Sequence, residues 1–196
     1  MLWPNAFRKG AFVCGALVCV ACASDSHGSA ADGDDKEVAP ARAELKCHAA
    51  ELEPDLESEF IAGSAVDLSA GELKIEDGAE YIVSSTYGIP KRGADGEYLS
   101  PRYQTLMGML IQKLQTQPGL LALQVSSSER CGSGRTLAVW ESEELMYDFV
   151  TTGPHLEAMS SAEELLQPGY AVTHWTASSR EQMSLTAAPA HLKDYF

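Results

Sequence analysis

The chain has 196 residues, 45% of them hydrophobic, with 14 Lys+Arg against 28 Asp+Glu. That length admits one domain with extensions, and that composition excludes wholesale disorder. A formal charge of -14 argues against a nucleic-acid partner, whose phosphates call for positive charge, and five cysteines are too few for a disulfide-framed mini-protein.

The N-terminus reads as an export signal. Arg8 and Lys9 precede an apolar run from Ala11 to Ala23, and no acidic residue occurs before Asp25. Thirteen residues are too few to cross a bilayer, which needs ~20, but suit the apolar centre of a secretory signal. Cys19-Val20-Ala21-Cys22 resembles a bacterial lipobox, with Cys19 where the pattern prefers Leu. It would place a lipid on Cys22 and anchor the chain at a membrane. Ala21-Cys22-Ala23 also fits an ordinary signal-peptidase site and release, and a retained anchor is the third outcome. In each case the mature chain is expected outside the cytosol, in the cell envelope or secreted.

Residues 1–21 are therefore assigned to the signal peptide and 22–43 to an acidic linker rich in Ser, Ala, Gly and Asp. Asp32, Asp34 and Asp35 lack the spacing of a calcium loop, and no metal site is expected. Residues 44–79 form a small N-terminal extension. A short helix is predicted over 41–52, with Leu45, Ala49 and Leu52 on one face and Pro54 ending it. Val66 and Leu68, then Leu73 and Ile75, flank Ser69-Ala70-Gly71 as a short hairpin.

The signals strengthen over 80–177. Alternation through Tyr81, Val83, Ser85 and Tyr87 predicts a strand over 80–88. Tyr103, Leu106, Met107, Leu110, Ile111 and Leu114 recur at helical spacing over 100–116, and Pro118-Gly119 ends that helix. Leu120–Ser126 and Arg135–Glu141 read as strands joined by a Gly-rich loop. Ser142 is a helix N-cap, followed by Glu143 and Glu144 in the favoured first turn. Pro154 opens another helix, predicted to run to about 166 with Leu156, Met159 and Leu166 inward. Tyr170–Thr176 is the last strand, and 178–196 is a tail partly ordered by Leu185, Leu192, Tyr195 and Phe196.

The order strand, helix, strand, strand, helix, strand predicts an α+β, ferredoxin-like βαββαβ domain with a four-stranded antiparallel sheet. Both helices lie on one face. Ala122, Ala138, Trp140 and Trp175 are assigned to the other face, too apolar to stay wet, so a second copy packing sheet to sheet is expected, giving a homodimer.

The residues Pro118-Gly119-Leu120-Leu121-Ala122, then Arg135 to Glu144 with its Trp140-Glu141-Ser142 turn into a helix, then Phe149-Val150, Gly153-Pro154-His155 and Met159, carry a resemblance. They resemble the dimeric α/β-barrel superfamily, in particular its antibiotic biosynthesis monooxygenase-like domains, over about 80–177; His174-Trp175 fits the same look. The resemblance implies a fold shared by cofactor-free oxygenases of aromatic substrates, heme-binding and heme-degrading proteins, and members without established catalysis. It implies no obligatory cofactor, with heme one candidate ligand, and a helical histidine such as His155 as a proximal ligand.

His155, in the first turn of its helix, is expected to be neutral, since the positive helix end disfavours a second charge. His174 alternates with Trp175 and is expected on the helix side. These two are the candidate catalytic residues. Trp140, Tyr81 and Tyr103 are the candidate walls for a small, flat ligand, although packing alone also accounts for them. Export allows a disulfide between Cys47 and Cys131, and sequence leaves open whether they approach. There is no Gly-x-Ser-x-Gly elbow, no Walker loop, and no partner for Cys47-His48 at zinc spacing. Two readings remain: a small oxygenase or heme-binding domain with a histidine-lined pocket, or a non-catalytic dimeric binding lipoprotein with a filled core and surface histidines.

Overall fold

The computed structural model describes residues 47–76, 78–92 and 100–193. The signal peptide, Cys22 and the acidic linker lie outside the described residues, as do Tyr195 and Phe196. The described residues form seven strands and five helices. In chain order they are β1 Glu57–Ala62, β2 Val66–Asp67, β3 Glu72–Leu73, β4 Tyr81–Gly88, α1 Pro101–Leu114, β5 Leu120–Ser128, β6 Ser133–Trp140, α2 Glu143–Val150, α3 Gly153–Ser160, α4 Ala162–Leu165, β7 Ala171–Ala177 and α5 Ala188–Leu192, with β2 and β3 forming a separate small hairpin.

The main sheet is antiparallel in the order β1-β5-β6-β4-β7. Its last four strands follow the ferredoxin-like order, with β4 and β6 central. The α+β, βαββαβ architecture is therefore present, with one strand more than predicted. The fifth strand comes from the N-terminal extension: β1 pairs with β5 along one edge. Its Glu57, Ser58 and Glu59 are exposed, which hides the alternation of a strand and suits an edge that must not pair further. Gly63 follows at φ 129°, where an added Cβ would run into the Leu121 carbonyl oxygen, so the chain can leave β1 this close to β5 only through glycine.

No helix forms over residues 47–52. The carbonyls of His48, Ala49 and Glu51 accept instead from the Arg135 guanidinium, so the segment is held as a turn against the sheet. The helices α1 and α2 match their predicted starts. Ser100 Oγ accepts from the Tyr103 N–H at 3.2 Å, and Ser142 Oγ from the Leu145 N–H at 3.3 Å. The helix predicted from Pro154 to 166 is broken: Ser161 separates α3 from α4, and its hydroxyl accepts from Arg102 at 2.9 Å. Leu156 and Met159 are 54% and 43% exposed rather than inward, because α3 packs on α1 and α2 and not on the sheet.

The sheet has a core on each face. Leu120, Leu123, Ala138 and Trp140 pack with Leu114, Met146 and Phe149 under the helices. Val83, Leu137, Val139 and Trp175 lie on the far side. This corrects the assignment of Ala138 and Trp140 to the bare face: Arg135, Leu137 and Val139 take that direction, and their neighbours point to the helices. Ala122 does face the far side, together with Leu121, because an irregularity between Leu120 and Ala122 interrupts the alternation. The far side is not bare. Ala49 and Leu73 from the N-terminal segment and Met183, Leu185, Ala188 and Leu192 from the C-terminal one close it, so these apolar residues do not by themselves call for a second copy. Trp175, expected at a dimer seam, is covered within the chain: its ring stacks on His191 at 4.2 Å and its indole N–H donates to the Gln182 carbonyl at 3.0 Å.

Candidate functional site

The alternation of β7 sends Val172, His174 and Thr176 to the helix side and Ala171, Thr173, Trp175 and Ala177 to the far side. His174 pairs across the sheet with Ser84 of β4, which in turn pairs with Ala138 of β6. Beside them Thr86 and Thr136 share a hydrogen bond at 2.7 Å. Ser84, Thr86 and Thr136 are half-buried, so the sheet offers hydroxyl groups next to a histidine. Capping by Ser142 fixes the start of α2 and places Glu143 Oε1 3.4 Å from His174 Nε2. Tyr147, one turn on, meets the imidazole edge-on at 5.7 Å. The His174 side chain is 40% exposed and Glu143 more so, making the pair accessible and weak as an ion pair.

Trp140 has a different role from the one its type suggested. It is 1% exposed, donates its indole N–H to Ser84 Oγ at 3.0 Å, and packs on Phe149 at 5.5 Å between centroids. No ligand can stack on a ring so enclosed without repacking. Phe149 continues to His155, edge to face at 4.9 Å. His155 Nδ1 lies 3.0 Å from the Val150 carbonyl, which can only accept, so Nδ1 carries the proton and Nε2 keeps its lone pair. Burial pushes the imidazole below its ordinary value, and the bond to Val150 opposes that. The expected neutral state therefore has burial as its cause.

Tyr81 does not join these residues. It lies on the far side, where its hydroxyl accepts from the Glu76 N–H at 3.3 Å. Tyr103 stands on α1, and burial pushes its phenol up to about 12. Trp140, Phe149 and His155 thus form one aromatic series, and Trp140 and His174 meet at Ser84. Among the described residues no group of three or more His, Cys, Asp or Glu side chains could hold a metal ion, and no helix is long and apolar enough to cross a membrane.

A second polar cluster, on the far side, was not foreseen. Arg135 and Glu53 are fully buried and 2.7 Å apart. Ser133 Oγ donates to the other Glu53 oxygen at 2.6 Å, and the guanidinium lies over the Tyr87 ring at 4.6 Å. Burial chiefly, with the Glu53 charge, pushes the Tyr87 phenol up to about 12, and its hydroxyl has no hydrogen-bond partner among the described residues. Cys47 and Cys131 form a disulfide with Cα atoms 5.5 Å apart. Beside it, Asp55 accepts from Ser128 Oγ at 2.8 Å and the Arg130 N–H at 3.0 Å. The available signal was Arg135 itself: a cation in register with Leu137 and Val139 needs a buried partner. Which acidic residue supplies it is not readable from spacing.

No family model matches the sequence, and no curated protein is similar to it. Three solved structures are similar in part. Rv0793 from Mycobacterium tuberculosis has 16% identity and a TM-score of 0.41, over 48% of this chain and 92% of that one. SO0527 from Shewanella oneidensis has 9% identity and a TM-score of 0.41, over 62% and 97%. SnoaB, a cofactor-independent oxygenase from Streptomyces nogalater, has 12% identity and a TM-score of 0.37, over 54% and 95%. The fold assignment rests on the strand order of this chain.

Proposed function

We propose that the chain is an exported, lipid-tethered domain of monooxygenase-like fold that binds a small ligand on its helix side and does not turn it over. The observation that carries this reading is the packing of two of the candidate groups: Trp140 is enclosed against Phe149, and His155 is half-buried with its ring against the same Phe149. What remains accessible is His174 with Glu143, Tyr147 and the neighbouring hydroxyls, a set suited to holding a planar or heme-like ligand from its rim. Export is supported by Arg8 and Lys9 before the apolar run, and by the Cys47–Cys131 disulfide, a bond that persists outside the reducing cytosol. The second reading, a small oxygenase, is favoured by the carboxylate of Glu143 beside His174, an arrangement that can orient an imidazole as a base.

The mature chain titrated with hemin should give a saturable Soret band, weakened at least tenfold in His174→Ala, with no oxygen uptake when a hydroquinone is added. Oxygen uptake that disappears in His174→Ala would replace the binding reading with the oxygenase one, and an unsaturable hemin titration would remove the heme-like ligand. Palmitate should label the wild type in cells and not Cys22→Ala; an unlabelled wild type leaves the released form.

A further inference from the structure

The two segments that close the far side of the sheet are fastened by different physics. Residues 47–56 are stapled by the Cys47–Cys131 disulfide, by the buried Glu53–Arg135 pair, and by Asp55 on Ser128 and Arg130. Residues 178–192 contain no cysteine. Their described hold is mainly apolar: Met183, Leu185, Ala188 and Leu192 enter the cluster of Val83, Leu137, Val139 and Trp175. Polar ties accompany it, from Trp175 to the Gln182 carbonyl and from the Gly78 N–H to the Ser178 carbonyl, together with the His191 stack. The backbone of this segment closes local turns, Met183 to Arg180 and Ala187 to Ser184, and adds no strand beside β7. An open cleft of about 510 Å³ marks the seam between the two segments, with Leu52, Pro54 and Leu56 on one side and Ser184, Leu185 and Thr186 on the other.

We propose that residues 178–192 form a releasable strap, which lifts from the sheet as a unit while residues 47–56 stay in place. A covalent bond and a saturated buried ion pair give the N-terminal segment no partial way to open. A segment that is packed but contributes no strand to the sheet can detach without breaking the ladder beneath it, as local unfolding units do. The seam supplies the edge from which it opens. Release bares Trp175 on β7 and the part of the apolar cluster that Met183, Leu185, Ala188 and Leu192 now cover. The device is separate from the helix-side site and does not depend on it.

Hydrogen exchange followed by mass spectrometry on the oxidised mature chain tests this. In Leu192→Asp, peptides from 180–192 should exchange at least tenfold faster than in the wild type, peptides from 48–56 should be unchanged, and a hydrophobic dye should bind. His191→Ala, which removes the ring stack on Trp175 and leaves the apolar contacts in place, should show the same selectivity to a smaller degree and serves if Leu192→Asp unfolds. Acceleration of both segments together in His191→Ala, or of neither, would overturn the strap.

Discussion

Arg135 occupies a position at which the strand's alternation calls for a hydrophobe, since Leu137 and Val139 point the same way. It is tolerated there because its N–H groups reach Glu53 and the carbonyls of His48, Ala49 and Glu51. Removing one partner strands a buried charge, which costs more than the pair contributes. Glu53→Ala should therefore destabilise the domain by about 3–5 kcal/mol in urea unfolding. Glu53→Leu combined with Arg135→Met should recover most of that; a double variant as weak as the single one would show that the turn itself needs the guanidinium. His155 gives the other residue-scale prediction. Its folded pKa lies below its unfolded value, so the unfolded chain binds more protons once the pH drops under 6.5. Its contribution to stability is therefore full above that pH and declines as the solution is acidified. The loss of thermal stability between pH 7.5 and 5.5 should be smaller in His155→Gln than in the wild type, and equal losses would assign the pH dependence elsewhere.

Elements differed in how openly their sequences declare them. β4 and α1 carry long runs of one period, and α2 carries a capping serine with two glutamates behind it, so all three were readable. β1 was not, because an edge strand with exposed acidic residues has little apolar alternation to show. The break at Ser161 was hidden for another reason. Leu156 and Met159 have helical spacing, but what decides their exposure is the layer beneath α3, which is helix and not sheet. The swap of Ala138 and Trp140 to the helix side has the same origin: alternation says which residues share a face, and only packing says which face.

At the scale of the whole molecule, closure of the far side is the dominant fact. The disulfide joins residues 84 apart, and a loop of that size lowers unfolded-chain entropy by an amount equivalent to about 4–5 kcal/mol. Cys131→Ser should lose about 2–4 kcal/mol of stability under oxidising conditions. Adding a dithiol reductant should bring the wild type down to the variant; a wild type indifferent to reductant would mean that Arg135 and Glu53 hold the segment unaided.

Read alone, the sequence was enough for the βαββαβ order, the starts of the two capped helices and the placement of His174 opposite Trp175. Those features depend on neighbours within one or two turns of chain. The pairing of Arg135 with Glu53, 82 positions apart, the fifth strand, the enclosure of Trp140 and the covering of the far side by the segments before β4 and after β7 were decided by tertiary structure. Each is a choice among distant partners of equal local fitness, and that choice is made by which surfaces the folded sheet brings within reach.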